Sequence, residues 1–146
     1  MCIFIMFRLT HFYVKQDQVD GKFFHLEVQD TAGQEQFALL REDYIQHAHG
    51  FLIVYAVAGN NAQKSMKNIE TYFNDIKRFH GENIPIIIAA NKIDLRREIK
   101  TEVGEEIVNK LKENHKSMAY IETSAKTKQN VPEAFKKLCE LVLREQ

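Results

Sequence analysis

The chain has 146 residues, of which twenty are basic and twenty acidic, so its formal net charge is zero. This length suits one domain with a hydrophobic core. The sequence has no stripe of basic residues interleaved with aromatic ones, so nothing in it predicts nucleic-acid binding. Cys2 and Cys139 follow neither disulfide nor metal-site spacing, and no apolar run reaches the roughly 20 residues that a membrane span needs. We therefore expect a cytoplasmic protein with reduced thiols.

The first third of the chain predicts a β-hairpin followed by a short helix. Residues 11–19 and 23–29 have the alternation of half-buried strands. Asp20-Gly21 lies between them, and this dipeptide favours the tight two-residue turns of hairpins. Apolar side chains at helical spacing then predict a helix within residues 37–48.

The remainder predicts alternating strands and helices. Apolar runs typical of buried parallel strands predict strands at residues 51–58, 84–90 and 119–122. Stripes of apolar residues predict helices at residues 66–79, 103–111 and 131–144. Thr101 and Asn130 are expected to cap the last two helices. This order predicts an α/β domain with a parallel sheet, whose ligand-binding loops follow the carboxyl ends of the strands.

The loop after the second hairpin strand reads Asp30-Thr31-Ala32-Gly33-Gln34. An aspartate at a strand end suits a Mg²⁺ ion held through a water molecule. Gly33 allows the backbone to approach a terminal phosphate, and Gln34 has the donor and acceptor needed to orient an attacking water. Taken alone, the loop is also consistent with an ordinary turn that needs glycine for its backbone angles.

The loop after the strand at 84–90 reads Asn91-Lys92-Ile93-Asp94. The Asp94 carboxylate can accept both N1–H and N2–H of guanine, a paired contact that adenine cannot return. Asn91 can tie the loop to its neighbours, and the stem of Lys92 can lie across the base. An ordinary strand-end loop with an Asx turn is the alternative.

The loop after the last strand reads Thr123-Ser124-Ala125-Lys126. The backbone N–H of Ala125 can meet O6 of guanine, and Ser124 can steady Asp94. By itself this loop is equally consistent with a helix approach rich in small polar residues. The three loops together are far more specific, because each follows a strand of one predicted sheet.

In this order and spacing, the three loops resemble the switch II, base-recognition and base-support motifs of Ras-like small GTPases, of the Ras subfamily. The likeness covers roughly residues 12–143, and Glu-Thr-Ser-Ala-Lys-Thr at 122–127 resembles the Ras form in particular. The resemblance implies a small G protein fold of the P-loop NTPase type, a three-layer sandwich with a mostly parallel sheet and one antiparallel edge hairpin. It also implies a GTP/GDP-binding switch in signal transduction, with Mg²⁺ as cofactor.

The resemblance also implies roles for individual residues. Gln34 is expected to act in GTP hydrolysis, Asp30 to hold Mg²⁺ through water, and Gly33 to contact phosphate. The residues expected at the guanine base are Asn91, Lys92, Asp94, Ser124, Ala125 and Lys126. Exchange factors, activating proteins and effectors are the implied partners, with Arg41 and Tyr44 on the switch II helix as candidate contacts. A solvated helix face with one packed aromatic is the alternative interpretation of these two.

The beginning of the sequence departs from the family. No G-x-x-x-x-G-K-[ST] string occurs, and the place of the switch I threonine falls on Arg8, two residues before Thr10. The first strand, phosphate-binding loop and first helix are therefore expected to be missing or replaced. This divides the chain into an atypical apolar segment at residues 1–10 and a truncated small GTPase domain at residues 11–146. Residues 2–7 can fill the central strand position, with a disordered tail or an extended hairpin strand as alternatives.

These departures leave three functions open. The first is a GTP-hydrolysing switch whose phosphate loop comes from an upstream or substitute segment. The second is a pseudo-GTPase, a Ras-shaped binding module without hydrolysis, and the third is a truncated or splice-variant fragment. Because association costs about 4–15 kcal/mol and only base contacts remain, we expect weak nucleotide binding. The sequence ends without a Cys-a-a-X motif, so lipid anchoring is not expected, although family analogy suggests the inner face of the plasma membrane.

Overall fold

A computed structural model describes residues 15–19, 22–26, 42 and 45–145 of the chain. The strands β1 to β5 are Lys15–Val19, Lys22–Leu26, Phe51–Ala56, Ile86–Asn91 and Met118–Thr123. The helices α1 to α3 are Ala62–His80, Thr101–Lys112 and Val131–Arg144. No helix in this part of the chain is both long and apolar enough to cross a membrane.

The predicted hairpin is present. Strands β1 and β2 pair antiparallel with Val19 opposite Lys22, which is the register that a two-residue connection at Asp20-Gly21 requires. Residue 42 and residues 45–47 are helical, within the helix predicted at 37–48. The remainder of that helix, and the predictions made for residues 1–10, lie outside the described residues.

Strands β3, β4 and β5 form a parallel sheet with β4 in the middle. Phe51 pairs with Ile86, and Ile86 pairs with Met118, so the three strands begin level with one another. The strand predicted from residue 84 begins instead at Ile86, directly after Pro85. Proline has no N–H for the ladder, but its carbonyl oxygen accepts a hydrogen bond of 2.8 Å from the N–H of Phe51.

Helices cover both faces of this sheet, which explains the continuous apolar runs of its strands. Ile53 and Ile88 pack on the side of α1 and α2, whereas Leu52 and Ile87 pack on the side of α3. Successive residues of a strand point to opposite faces, so both sets are buried. Full burial of a side chain of this size contributes about 1.5–3 kcal/mol. The fold is therefore the α/β arrangement with helices on both faces that the sequence predicts, and it includes Cys139 as a buried residue of α3.

Of the two predicted helix caps, Thr101 is wrong, whereas Asn130 is confirmed in position as the N-cap residue of α3 but makes no side-chain cap bond. Thr101 is the first residue of α2 rather than its cap, and Lys100 precedes it without a capping hydrogen bond. Asn130 does precede α3, but with a left-handed φ of 55° and no side-chain cap bond. Both side chains donate instead to Glu122, Thr101 to the carboxylate at 2.8 Å and Asn130 to the backbone oxygen at 2.8 Å. A helix cap requires a side-chain oxygen that accepts a backbone N–H, whereas these two side chains act as donors to a tertiary acceptor.

Candidate functional site

The candidate site lies at the carboxyl edge of the parallel sheet. Asn91 ends β4, Thr123 ends β5, and the two residues are partners in the strand register. The loops that follow them, residues 92–100 and 124–130, therefore leave the sheet side by side. This adjacency brings together the two segments that the sequence interpretation assigned to a guanine base.

Ser124 and Asp94 connect the two loops directly. The Ser124 hydroxyl donates a hydrogen bond of 2.6 Å to Asp94 Oδ1 and accepts one of 3.1 Å from the N–H of Thr127. The bond from Ser124 holds the pKa of Asp94 below its ordinary value, and the charges of Lys126 and Lys92 act in the same direction. Asp94 is exposed. It is therefore a fixed, ionised acceptor facing solvent at neutral pH.

Asn91 connects the same loops a second time. Its Oδ1 accepts hydrogen bonds from the backbone N–H of Ala125 at 3.0 Å and from the hydroxyl of Thr123 at 3.5 Å. This geometry turns Nδ2 of Asn91, the donor end of the amide, away from Ala125. The N–H of Ala125 that the sequence interpretation directed to guanine O6 points in this structure to Asn91. Contact with a base oxygen requires that N–H to be shared between two acceptors.

Lys92 adopts a left-handed backbone conformation with φ of 72°. Such a conformation costs a residue with a Cβ of the order of 1–3 kcal/mol and persists where the surroundings fix it. The Lys92 carbonyl accepts the N–H of Leu95 at 3.1 Å, closing a turn around Asp94. The side chain extends toward Gly59, whose φ is +88°, and Nζ lies 3.8 Å from the position a Cβ on Gly59 would take. The side chain of Lys92 therefore lies near Gly59, in the loop that follows β3.

Backbone hydrogen bonds anchor the Asp94 loop to the end of β3. The Val57 N–H donates to Asn91 O at 2.9 Å, and Val57 O accepts from Glu98 and Ile99 at 2.8 and 3.1 Å. The Glu98 carboxylate accepts the N–H of Gly59 at 3.0 Å. Ile99 is buried in the core on the α1 side. The loop is therefore held at both ends before any ligand binds.

Glu122 is a feature that the sequence interpretation missed as part of the site. Its carboxylate accepts hydrogen bonds from Arg97 at 2.6 Å, Thr101 at 2.8 Å and the Tyr120 hydroxyl at 3.3 Å. Partial burial acts to raise the pKa of Glu122, but the bonds from Arg97 and Thr101 outweigh it and leave the pKa below its ordinary value. The available signal was a carboxylate at the end of an otherwise apolar strand, which needs a positive partner.

The remaining predicted site residues fall into two groups. Lys126 is exposed beside Ser124, and its charge reaches Asp94. The others lie outside the described residues: Asp30, Gly33, Gln34, Arg41 and Tyr44. The Mg²⁺ contact expected at Asp30, the phosphate contact expected at Gly33 and the hydrolytic role expected of Gln34 stay predictions.

The arrangement suits recognition of a planar ligand edge that presents two adjacent N–H groups. Asp94 supplies the charged acceptor, and its orientation is fixed by a donor on the neighbouring loop. Hydrogen bonds with one charged partner are about twice as strong as neutral ones. A ligand with two adjacent N–H groups would therefore bind Asp94 more tightly than a ligand without them. Guanine has this edge, with N1–H beside the 2-amino group.

The chain was compared with models of known protein families. The model of the Ras family matches residues 7–144, which is nearly the whole chain. The matched range includes the two loops of the candidate site, residues 92–100 and 124–130, which we call the base loops, and all the described strands and helices.

Proposed function

Since this chain belongs to the Ras family, we propose that it binds guanine nucleotides and reads the base through Asp94. The observation that carries the proposal is the 2.6 Å hydrogen bond from Ser124 to Asp94, which joins the two base loops. This bond favours the ionised carboxylate, and the ionised carboxylate is the form that accepts two N–H groups. Small GTPase-like function in general follows from the family, and base recognition by these residues is the specific proposal.

Asp94 favours guanine over adenine because of the chemistry of the purine edge. Guanine offers two donors, N1–H and the 2-amino group, to the two oxygens of one carboxylate. Adenine has a lone pair at N1, which faces a negative charge unfavourably. In this proposal the side chain of Lys92, which extends toward Gly59, contacts the face of the base, and the N–H of Ala125, shared with Asn91 Oδ1, contacts O6.

The proposal extends to a nucleotide-dependent switch in signal transduction. In this proposal Gln34 orients the water that attacks the terminal phosphate, Gly33 donates its N–H to that phosphate, and Asp30 holds Mg²⁺ through water. Mg²⁺ supplies neutralisation of phosphate charge when it is bound. Exchange factors, activating proteins and effectors would engage the switch II helix, with Arg41 and Tyr44 as contacts. Family membership supports this extension.

A second candidate is a Ras-shaped binding module without hydrolysis. The observation that favours it is the absence of a G-x-x-x-x-G-K-[ST] string from the 146 residues of this sequence. That string ordinarily supplies the backbone N–H groups and the lysine that hold phosphates. Under this alternative the base loops bind nucleotide weakly and turnover of GTP is absent.

Calorimetric titration of the 146-residue chain with GDP and ADP, each with Mg²⁺, tests the base-recognition proposal. We expect saturable binding of GDP and weaker or no binding of ADP. Asp94→Asn should reverse the preference toward xanthosine diphosphate, because an amide can donate to the 2-oxo group that xanthine carries there. The matched control is Asp75→Asn on α1, which makes the same chemical change away from the base loops.

Each outcome has a distinct meaning. Equal binding of GDP and ADP, or an Asp94→Asn variant with unchanged selectivity, would show that Asp94 does not read the base. A folded protein that binds guanine nucleotide without releasing phosphate from GTP supports the binding module over the enzyme. Phosphate release that is lost in Gln34→Leu supports the hydrolysing switch.

A further inference from the structure

Glu122 lies where both base loops are tied to the sheet. Its carboxylate accepts hydrogen bonds from Arg97, in the first loop after Asp94, and from Thr101, at the start of α2. Its backbone oxygen accepts a hydrogen bond from the side chain of Asn130, which ends the second loop just before α3. One residue of β5 therefore holds the far end of each loop, while Ser124 and Asp94 join the loops at their near ends.

We propose that Glu122 is a positioning residue for guanine recognition: by holding Arg97 and Thr101 it fixes the loop that places Asp94 against the base. This inference rests on the proposed function of Asp94 as the base reader. Glu122 itself does not touch the nucleotide in this proposal. It acts on Asp94 through Arg97.

The geometry supports a rigid connection at this point. The side chains of Arg97 and Glu122 are only 30% and 25% exposed, and they meet at 2.6 Å. Nη1 of Arg97 is buried and has no hydrogen-bond partner among the described residues. The guanidinium therefore depends on Glu122 for compensation of its charge, and loss of that carboxylate leaves a partly buried cation that must move toward solvent.

Movement of Arg97 is transmitted to Asp94 because little chain separates them. The two residues are three apart, and the turn closed by Lys92 and Leu95 includes Asp94 and ends two residues before Arg97. Thr101, four residues after Arg97, donates to the same carboxylate of Glu122. Without Glu122, the loop keeps its anchors at Val57 but loses the carboxylate that joins Arg97 to Thr101 at the start of α2.

A purely structural ion pair makes a different prediction. In that case loss of Glu122 lowers the stability of the protein but leaves the discrimination between bases unchanged. The quantity that separates the two roles is the affinity ratio of GDP to inosine diphosphate. Hypoxanthine keeps N1–H and lacks the 2-amino group, so the ratio reports the placement of the Asp94 carboxylate and is insensitive to the overall fraction of folded protein.

The test compares Glu122→Gln with the matched control Glu70→Gln in the full chain. Glu70 makes an exposed ion pair with Lys110 at 3.5 Å, away from both loops. We expect Glu122→Gln to lower the GDP to inosine diphosphate ratio by about tenfold, the equivalent of one hydrogen bond to a charged group, and Glu70→Gln to leave it unchanged. An unchanged ratio in Glu122→Gln overturns the proposal. If that variant does not fold, Thr101→Val removes a single donor to Glu122 and is judged by the same ratio.

The titration of the Asp94 carboxyl, followed by carbon NMR without nucleotide, separates this proposal from the proposed function. If the wild-type chain binds neither nucleotide, base recognition fails and the titration alone decides the role of Glu122. A rise in the pKa of Asp94 in Glu122→Gln, with no rise in Glu70→Gln, means that Glu122 sets the bond from Ser124. An unchanged pKa means that it does not.

Discussion

The hydroxyl groups of Tyr55 and Tyr120 lie 3.3 Å apart and hydrogen-bond to each other where helix α2 crosses the sheet. Gly104 of α2 covers this pair. A Cβ built on Gly104 would overlap the Tyr55 oxygen and lie 2.8 Å from that of Tyr120. A glycine in a helix interior ordinarily costs stability, so its presence here indicates that the close approach of α2 to the two hydroxyls requires it.

Gly104→Ala should therefore destabilise the protein. Overpacking costs about 1–3 kcal/mol, which offsets and exceeds the gain of up to about 1 kcal/mol in helix propensity. In a Tyr55→Phe background the closest oxygen is gone, and we expect part of the cost to disappear while the contact with the Tyr120 oxygen remains. Urea denaturation of the four proteins of this double-mutant cycle gives the coupling energy. Additive effects would mean that the alanine is accommodated without contact with Tyr55.

Ser124→Ala should raise the pKa of Asp94 toward its ordinary value. The Ser124 hydroxyl donates to the ionised carboxylate, so its loss removes the main cause of the lowered pKa. Carbon NMR titration of the Asp94 carboxyl measures the change. Thr127→Ala is the control, because it removes a hydroxyl from the same loop while leaving that of Ser124 in place. A pKa that does not respond to Ser124→Ala would assign the effect to the lysines instead.

His115 should make the protein less stable as the pH falls. Its Nε2 bonds to Ile84 O at 2.6 Å, while Nδ1 is buried without a partner among the described residues. Burial lowers the pKa of His115. Below the ordinary histidine pKa of about 6.5 the unfolded chain binds more protons than the folded protein, so the free energy of unfolding decreases, by at most about 1.4 kcal/mol per pH unit.

Urea denaturation from pH 8 to pH 5.5 checks this pH dependence. His115→Gln should flatten the dependence, because it removes the titrating ring. Leu52→Val is the control, because Leu52 is buried on the other face of the sheet from Phe73, which packs edge-on against the His115 ring with centroids 5.4 Å apart. That variant should lose stability at every pH while keeping the slope. Equal slopes in wild type and His115→Gln would attribute the pH dependence to other groups.

Two ion pairs of equal length should differ in their contribution to stability. Arg78–Glu42 and Arg97–Glu122 both meet at 2.6 Å, but the first pair is 59% and 45% exposed and the second 30% and 25%. Glu42→Gln should cost less than about 1 kcal/mol because solvent screens exposed charges. Glu122→Gln should cost about 1–3 kcal/mol because it leaves a partly buried donor poorly paired. Equal costs in urea denaturation would show that exposure does not set the difference.

The helices and the parallel sheet could be predicted from the sequence because their apolar residues are placed by burial alone. Residues 51–58 and 84–90 are apolar at nearly every position because α1 and α2 cover one face and α3 the other. The last helix matches its prediction at both ends, Val131 and Arg144, since Pro132 in its first turn and the apolar stripe define it locally.

The side-chain contacts of the site do not follow from local pattern. Thr101 and Asn130 have the residue types of helix caps, yet both donate to Glu122, which is 21 residues from Thr101 and 8 from Asn130 along the chain. The left-handed Lys92 is likewise unpredictable, because lysine has no preference for that conformation. Proximity of the two base loops was predictable from parallel strand ends, whereas the partner of each donor required the tertiary structure.

The pairing of β3, β4 and β5 also determines when the base site can form. Phe51 meets Ile86, and Ile86 meets Met118, so each ladder joins segments far apart along the chain. Such pairings are slow, because chain entropy is lost before the contacts compensate for it. Both base loops depend on the ends of these strands and acquire their geometry only once the sheet is complete. A nucleotide bound there should therefore slow unfolding while leaving the folding rate unchanged.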